Sequence, residues 1–469
     1  MNFYFSFSKF LIEMLRAEKS VVRILTTRQR PSWTVPWQMR PVESGSGSGA
    51  LILGGTKILT AAHVVADSTY ITVQRNTDYY DSERVCARVV AQFHDTDLAL
   101  LELLGSTEKN IGLEIAESFP TIRSKVNVLG YPVGGDRVSI TEGVVSRIDV
   151  AKYSHSGKFA AAFTVDAAIN AGNSGGPILD GDGKILGVAF QKLIGQGVEN
   201  QGHGVPAYLI HRFLDSLKTN VPDLPSLGIQ IQHMDSPALR AMTGSRGILV
   251  NWSRNPSIQV GDVIEGINGH KIDNHGLTRI FGDRNMHFSA LLHSKFVNDT
   301  VELSIWRDGE NITVVSSLMG SADLVPLQQY ERKPEYLVYG GLVFQPLSTD
   351  YLAGWPNERD RPCHLQQLVV GGKIEADRDQ VVVLTNVLAS QCNTGYGSGW
   401  VGAPILVAVN DAKVKNLEHL VKLVETGNSE FVKFKFMDDS VVVLNRQDVS
   451  NDNSNIQAIY DIPLLARAK

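Results

Sequence analysis

The sequence predicts a mostly β protein in which two small barrels lie side by side, followed by two smaller α+β domains. Three observations carry this reading. Short apolar runs broken by turn residues fill the stretch from Val21 to about Val221, the pattern of barrels or sandwiches. The apolar period then turns helical over Ala207–Leu217, which marks a helix closing a β-rich unit. Beyond that helix, two stretches repeat the same order of elements, as a diverged internal duplication does.

The first barrel is drawn from Ala50–Leu53, Lys57–Thr60, Ile71–Val73, Val85–Val90 and Leu98–Leu103. The second is drawn from Val126–Leu129, Val138–Val150, Phe163–Val165 and Ile185–Phe190. In the closing helix, Leu209, Ile210, Phe213, Leu214 and Leu217 share one face. Val221-Pro-Asp-Leu-Pro225 then breaks the chain into a new domain. Val260-Gly-Asp-Val-Ile-Glu-Gly-Ile-Asn-Gly-His-Lys-Ile272 is echoed by Val401-Gly-Ala-Pro-Ile-Leu-Val-Ala-Val-Asn-Asp-Ala-Lys-Val414. Each copy has a strand and an Asn-led tight turn, then a helical segment. The helical positions are Phe288, Leu291, Leu292 and Phe296 in one copy and Leu417, Leu420, Val421 and Val424 in the other. Each ends in a hairpin, turned at Asp308-Gly309 and at Asp438-Asp439-Ser440. The resulting division is an aromatic N-terminal segment over 1–20, the double barrel over 21–221, a first α+β domain over 222–320, a linker over 321–338 and a second α+β domain over 339–469.

The bulk numbers agree with a folded protein. Of 469 residues, 43% are apolar and 20% charged, enough to bury a core without staples. The net charge of −5 gives no broad basic field, so nucleic acid is not an expected partner. Cys86, Cys363 and Cys392 are odd in number and far apart, which argues against a disulfide framework and a structural zinc site. The apolar run within Met1–Leu15 is interrupted by Lys9 and Glu13. It is too short for a membrane span, and no small-residue cleavage site follows it. These features favour the cytoplasm or an organelle interior, with the periplasm or cell envelope as the alternative.

Three local motifs carry chemistry: Leu59-Thr-Ala-Ala-His-Val-Val65, Phe93-His-Asp-Thr-Asp-Leu-Ala-Leu-Leu101 and Asn170-Ala-Gly-Asn-Ser-Gly-Gly-Pro177. A serine hydroxyl is a poor nucleophile unless a base takes its proton. Glycines around Ser174 permit a tight turn, in which the N–H groups of Gly172 and Ser174 can face one developing negative charge. His63 is the candidate base, and Asp97 the acid that orients it. Asp95 is a second candidate, less favoured because Leu98-Ala-Leu-Leu101 follows Asp97 directly. His94 is read as a bystander. The order His, Asp, Ser is that of chymotrypsin-like enzymes, with His63 and Asp97 on the first barrel and Ser174 on the second. Gly45-Ser-Gly-Ser-Gly-Ala50 lacks the context of a nucleotide-binding loop and is read as a flexible entry to the His63 hairpin. No His-Glu-x-x-His and no phosphate-loop motif is present, so neither metal, ATP nor any other cofactor is expected.

These motifs resemble the HtrA/Deg family of serine proteases. So do Leu129-Gly-Tyr-Pro-Val-Gly-Gly135, Thr141-Glu-Gly-Val-Val-Ser146, Asp166-Ala-Ala-Ile-Asn170 and Gly187-Val-Ala-Phe-Gln191. The resemblance implies a mostly β, chymotrypsin-like double β-barrel protease domain with the triad His63, Asp97 and Ser174 and oxyanion donors at Gly172 and Ser174. Ala171 stands where that family often has Pro, a change that would loosen the loop before Ser174. Ile169 and Ala189 fit a primary pocket for small or medium apolar residues. Tyr339-Gly-Gly-Leu-Val-Phe-Gln-Pro-Leu347 and Val441-Val-Val-Leu-Asn445 are similar to plant Deg proteases with a PDZ domain and then a second, PDZ-like one.

PDZ domains take peptides by strand addition, with a loop of N–H groups holding the carboxylate. That assigns Leu227, Gly228 and Ile229 to the first loop, with the Phe288–Phe296 helix as groove wall. Gly341-Leu342-Val343-Phe344 looks similar but is read as a core strand serving assembly. The implied function is an ATP-independent endopeptidase of protein quality control. Its implied partners are unfolded polypeptides, PDZ peptide ligands and further copies of itself in trimer-based oligomers, with the aromatic run Phe3–Phe10 as a contact. The rival reading is a holdase or PDZ scaffold with a resting protease domain.

Overall fold

The structure is a computed structural model that describes residues 13–75, 84–105, 112–132, 135, 137–170, 172–192, 202–219, 223–281, 284–397 and 402–468. The Phe3–Phe10 run, Ala171 and the boundary residues 220–222 lie outside the described residues. The fold is mostly β and separates into two units. One comprises the chain up to Arg28 with Glu43–Ser321, and the other Gln29–Val42 with Ala322–Lys469.

The first unit begins with a closed six-stranded barrel. Its strands are β1 (Val21–Arg28), β2 (Glu43–Ile52), β3 (Lys57–Thr60), β4 (Ser68–Arg75), β5 (Arg84–Phe93) and β6 (Leu98–Leu103), in the order β1-β2-β3-β6-β5-β4. Closure leaves no unpaired sheet edge. Residues 13–20 form a helical segment before β1. The Gly-Ser repeat is not a flexible entry: it lies within β2 and pairs with β1 from Val21↔Ala50 to Thr26↔Gly45. Glycine is a poor strand former, so tertiary contact decides here. A Cβ on Gly47 would lie 2.6 Å from Val64 Cγ1 and 3.1 Å from the Ser174 carbonyl.

A second closed barrel follows, with β7 (Lys125–Gly130), β8 (Ser139–Lys152), β9 (Phe159–Val165), β10 (Pro177–Leu179), β11 (Ile185–Lys192) and β12 (Gly202–Pro206) in the order β10-β11-β12-β9-β8-β7. Phe163, Val165, Ile178 and Ile169 fill its core. The closing helix, α1 (Ala207–Thr219), buries Leu209, Ile210 and Phe213, while Leu217 at the end of the stripe is exposed. Phe213 stacks on Phe93 at 6.3 Å between ring centroids.

The first α+β domain follows within the same unit. Its sheet runs β13 (Ile229–His233), β14 (Ile248–Ser253), β15 (Val263–Ile267), β19 (Thr300–Arg307), β20 (Glu310–Ser317), with β16 (His270–Lys271) paired to β15. A separate hairpin, β17 (Leu277–Ile280) and β18 (Arg284–His287), reaches the second barrel. Ile280, Met286 and Ala290 join the core cluster of Phe163 and Val165. Phe281 stacks on Phe119 at 3.9 Å and 2°. The expected helix at Phe288–Phe296 is a single turn, Ser289–Leu292. Beyond that turn, the Lys295 carbonyl accepts from Arg212 Nε at 2.9 Å, and the Arg212 guanidinium lies over the Phe93 and Phe296 rings at 4.8 and 4.9 Å. Such cation–π contacts strengthen when desolvated.

The second unit holds two sheets. One is ordered β23 (Val382–Val387), β22 (Leu342–Pro346), β21 (Tyr336–Tyr339), β28 (Ala466–Arg467). The other is ordered β25 (Ala412–Lys413), β24 (Leu406–Val409), β26 (Phe431–Phe436), β27 (Val441–Asn445). Helix α2 (Leu417–Thr426) buries Leu417, Leu420 and Val424 against them. Leu342, Val343 and Phe344 are fully buried in a central strand. In the same unit, Trp37 packs on Tyr336 at 5.8 Å and donates Nε1–H to the Tyr460 carbonyl at 3.2 Å. The two α+β domains share one plan: β15–Asn268-Gly269–β16 corresponds to β24–Asn410-Asp411–β25, and each continues into a hairpin, β19–β20 or β26–β27. Among the described residues, no helix is long and apolar enough to cross a membrane.

Candidate active site

The site starts from one helical turn, Ala62–Val65, that follows β3, and from the short turn between β5 and β6. Asp97 closes that second turn, its N–H donating to the His94 carbonyl at 3.1 Å. Its φ of +57° is left-handed, a conformation Asp tolerates better than most residues. This bend aims the whole of Asp97 at the first turn. Its carbonyl accepts from Ala62 N at 3.0 Å, Oδ1 accepts from His63 N at 2.7 Å, and Oδ2 meets His63 Nδ1 at 2.7 Å. With the proton on Nδ1, Nε2 carries the free lone pair.

Asp97 is completely buried, while the His63 side chain is about one-third exposed. Burial works against the charge on both. It would raise the Asp97 pKa, but the charge and hydrogen bond of His63 outweigh it and hold the carboxyl below the ordinary Asp value. Burial would likewise lower the His63 pKa, but Asp97 outweighs it and holds the imidazole above its ordinary value. The pair therefore favours a protonated His63 facing an ionised Asp97.

Asp95 points elsewhere. Its Oδ1 pairs with Lys158 Nζ at 2.8 Å, and Oδ2 accepts from Leu224 N at 2.8 Å, tying the first barrel to the chain that enters the α+β domain. His94 Nδ1 lies 2.8 Å from His155 Nε2, and the His155 ring sits 6.2 Å from that of His63.

Ser174 belongs to the loop before β10, and β2 joins that loop to the first barrel. Ser48 N donates to the Ser174 carbonyl at 2.8 Å. Ser48 Oγ donates to the Gly172 carbonyl at 2.7 Å and accepts from Tyr131 N at 2.8 Å. Thr60 Oγ1, on the strand that leads to His63, donates to the Ser48 carbonyl at 2.7 Å. Gly175 has φ +83°, and a Cβ there would stand 2.2 Å from Thr60 Oγ1 and 3.0 Å from Ala61 N. The segment carrying Ser174 therefore abuts the segment carrying His63. Beyond the loop, Gly175 N donates to the Ala189 carbonyl at 2.7 Å, and Ala189 N donates back to Gly176 at 2.9 Å.

Comparison with known proteins decides the family. The trypsin-like peptidase domain matches residues 47–188 and the PDZ domain matches 325–466. The putative mitochondrial protease Do-like 3 of Arabidopsis thaliana is 34% identical over 462 residues, covering 95% of this chain and 79% of the relative. The chain belongs to the Do-like protease family. The chloroplastic protease Do-like 2 of the same plant is 31% identical over 463 residues, covering 95% of this chain and 74% of that one. Like its Do-like relatives, the chain is of the HtrA/Deg type and is a serine endopeptidase carrying a PDZ domain. An HtrA-type protease named AlgW, solved with a decapeptide, aligns with a TM-score of 0.51 at 18% identity over 66% of this chain and 98% of that one. At that identity it shows a shared fold.

The other residues singled out from sequence fall into two groups. Ile169 and Ala189 are both buried in the core of the second barrel, and a Cβ on Gly202 would lie 2.3 Å from Ile169 Cδ1. Leu227 is buried in the α+β core, and its carbonyl accepts from Asn255 Nδ2 at 2.9 Å. Gly228 has φ +69°, and Ile229 opens β13, the edge strand of its sheet. Sequence reasoning missed Ser48 and His155. The alternation of Gly with Ser before Ala50 was the available signal for Ser48; for His155 no local signal exists.

Proposed function

We propose that this protein is an ATP-independent endopeptidase of protein quality control, cutting unfolded chains with Ser174 as nucleophile, His63 as general base and Asp97 as the residue that orients the base. The observation that carries the reading is the clasp of a fully buried Asp97 on both the backbone N–H and Nδ1 of His63. It fixes the tautomer in which Nε2 can take a proton. Ser174 Oγ adds to the peptide carbonyl as its proton passes to Nε2, and the N–H groups of Gly172 and Ser174 face the resulting oxyanion. Each such donor is worth about 3 kcal/mol in the barrier. His63 then returns the proton to the leaving amine, and water, activated by the same imidazole, hydrolyses the ester.

The small or medium apolar specificity assigned to Ile169 and Ala189 rests on the family resemblance, since both side chains are buried in the barrel core. The β13 edge behind Leu227, Gly228 and Ile229 supports peptide capture by strand addition. Membership of the Do-like family supports a trimer-based oligomer, and relatives named as mitochondrial or chloroplastic support an organelle interior. The test is degradation of unfolded casein by the wild type and by Ser174→Ala, with neither ATP nor metal added. Wild type is expected to degrade casein and Ser174→Ala to leave it intact. Equal rates for the two proteins would overturn the assignment of Ser174, and binding without cleavage by either would make the protein a holdase.

A further inference from the structure

His233, Asp235 and His275 lie together on the surface of the first α+β domain, all three exposed. Each can offer one ligand atom, and the three atoms fall within 4.8 Å of one another. The arrangement follows from backbone pairing. Just past the end of β13, Met234 is fully buried, while His233 and Asp235 on either side of it are exposed. Met234 N donates to the Asn274 carbonyl at 2.9 Å, which sets the turn carrying His275 directly alongside. The Asn274 side chain locks that turn by accepting from Gly247 N at 3.2 Å, and Asp273 Oδ1 caps it from His275 N and Leu277 N at 2.9 and 2.8 Å.

We propose that these three residues form a site for a divalent transition-metal ion of the zinc class. Two imidazoles and one carboxylate are a borderline donor set that suits Zn²⁺, and three protein ligands leave one position for water. Ligand atoms of a tetrahedral zinc stand about 3.3 Å apart, given bonds of about 2.0 Å. His275 Nδ1 and Asp235 Oδ1 are already 3.2 Å apart. The His233 ring, 5.9 Å from that of His275 between centroids, closes the set by a side-chain rotation, which exposure permits. The bound ion would pin the end of β13 to the 273–276 turn. That turn leads straight into β17, whose hairpin places Ile280 and Met286 in the core of the second barrel. The ion thus fastens the edge strand of the sheet to the element that docks on the protease, and it takes no part in peptide hydrolysis.

The test titrates the full-length Ser174→Ala protein with Co²⁺, read by visible d–d absorption, and then displaces it with Zn²⁺. Wild-type ligands are expected to bind one equivalent in a tetrahedral or five-coordinate spectrum. Even a change to the hydrogen-bond partner of a metal ligand costs about 10–100-fold in affinity, so His233→Ala and His275→Ala should each cost at least that. Their metal-free unfolding midpoints should match the parent, because both side chains are exposed. Zn²⁺ should raise the midpoint of the parent and of neither variant. Absence of a stoichiometric cobalt spectrum would overturn the proposal. So would binding that survives the double substitution, or that disappears with His155→Ala instead.

Discussion

Replacing Asp97 by Asn tests the clasp on His63 more sharply than removing the side chain. Asn is isosteric but offers one acceptor and one donor in place of two acceptors. The backbone N–H of His63 is a fixed donor 2.7 Å from Oδ1, so the amide oxygen must stay there. The amide NH₂ then faces Nδ1, 2.7 Å away, and forces that nitrogen to be an acceptor. The ring proton moves to Nε2, where the base should be free. The opposite flip sets NH₂ against N–H and is worse. A wrong tautomer of this kind costs about 10⁴ in turnover, which is about 5 kcal/mol in the barrier. The assay is kcat/KM on a fluorogenic peptide or labelled casein, beside a urea titration to confirm folding. Asp95→Asn is the control. It loses the ion pair to Lys158 but keeps an oxygen for Leu224 N, so its rate should stay near wild type at a stability cost of about 1–3 kcal/mol, Asp95 being buried. Retention of more than about a tenth of the activity in Asp97→Asn, against the 10⁴ loss expected, would refute the tautomer argument. An equal loss in Asp95→Asn would refute the choice of acid.

Three further outcomes follow from the geometry of the site. The kcat/KM profile should rise with pH as His63 loses its proton, with a midpoint above 6.5 because Asp97 overcomes burial; in Asp97→Asn burial and the Arg28 charge act unopposed and the limb should move to lower pH. The sign for stability is opposite for the two partners: the contribution of His63 is present below pH 6.5 and fades as pH rises through its folded value, while that of Asp97 is present above 3.8 and fades as pH falls through its lowered value. Ser48→Ala strands the Tyr131 N–H and the Gly172 carbonyl in a buried setting, so it should cost about 1–3 kcal/mol in a urea titration. Unchanged stability with unchanged turnover would show that the Ser48 side chain does not hold the Ser174 loop.

What the sequence disclosed and what it hid have a common physical cause. Strands such as Leu98–Leu103 and Phe163–Val165 were legible because burial imprints a run of apolar residues on a short segment. Residues Glu43–Gly49 carry no such imprint, since glycine there is demanded by close approach to Val64 and the Ser174 carbonyl, a contact made by distant parts of the chain. Ser48 was hidden for the same reason: its partner Gly172 lies 124 residues away. The strand that follows Asp97 directly favoured it over Asp95 in the sequence, and in the structure the left-handed turn at Asp97 sends its carboxylate to His63 while that of Asp95 meets Lys158 and Leu224. The apolar spacing of Phe288–Phe296 suggested a longer helix than the single turn that forms. Its later positions serve a junction in which Phe296 packs on Arg212.

The central claim is that His63, held by Asp97, makes Ser174 a nucleophile. A fluorophosphonate probe reads that property directly, since it bonds only to a serine whose proton a neighbouring base removes. After incubation, peptide mass spectrometry should find the adduct on Ser174 in the wild type, and its rate of formation should collapse in His63→Ala and Asp97→Asn. An adduct on another serine, or labelling of Ser174 at an undiminished rate in His63→Ala, would contradict the account.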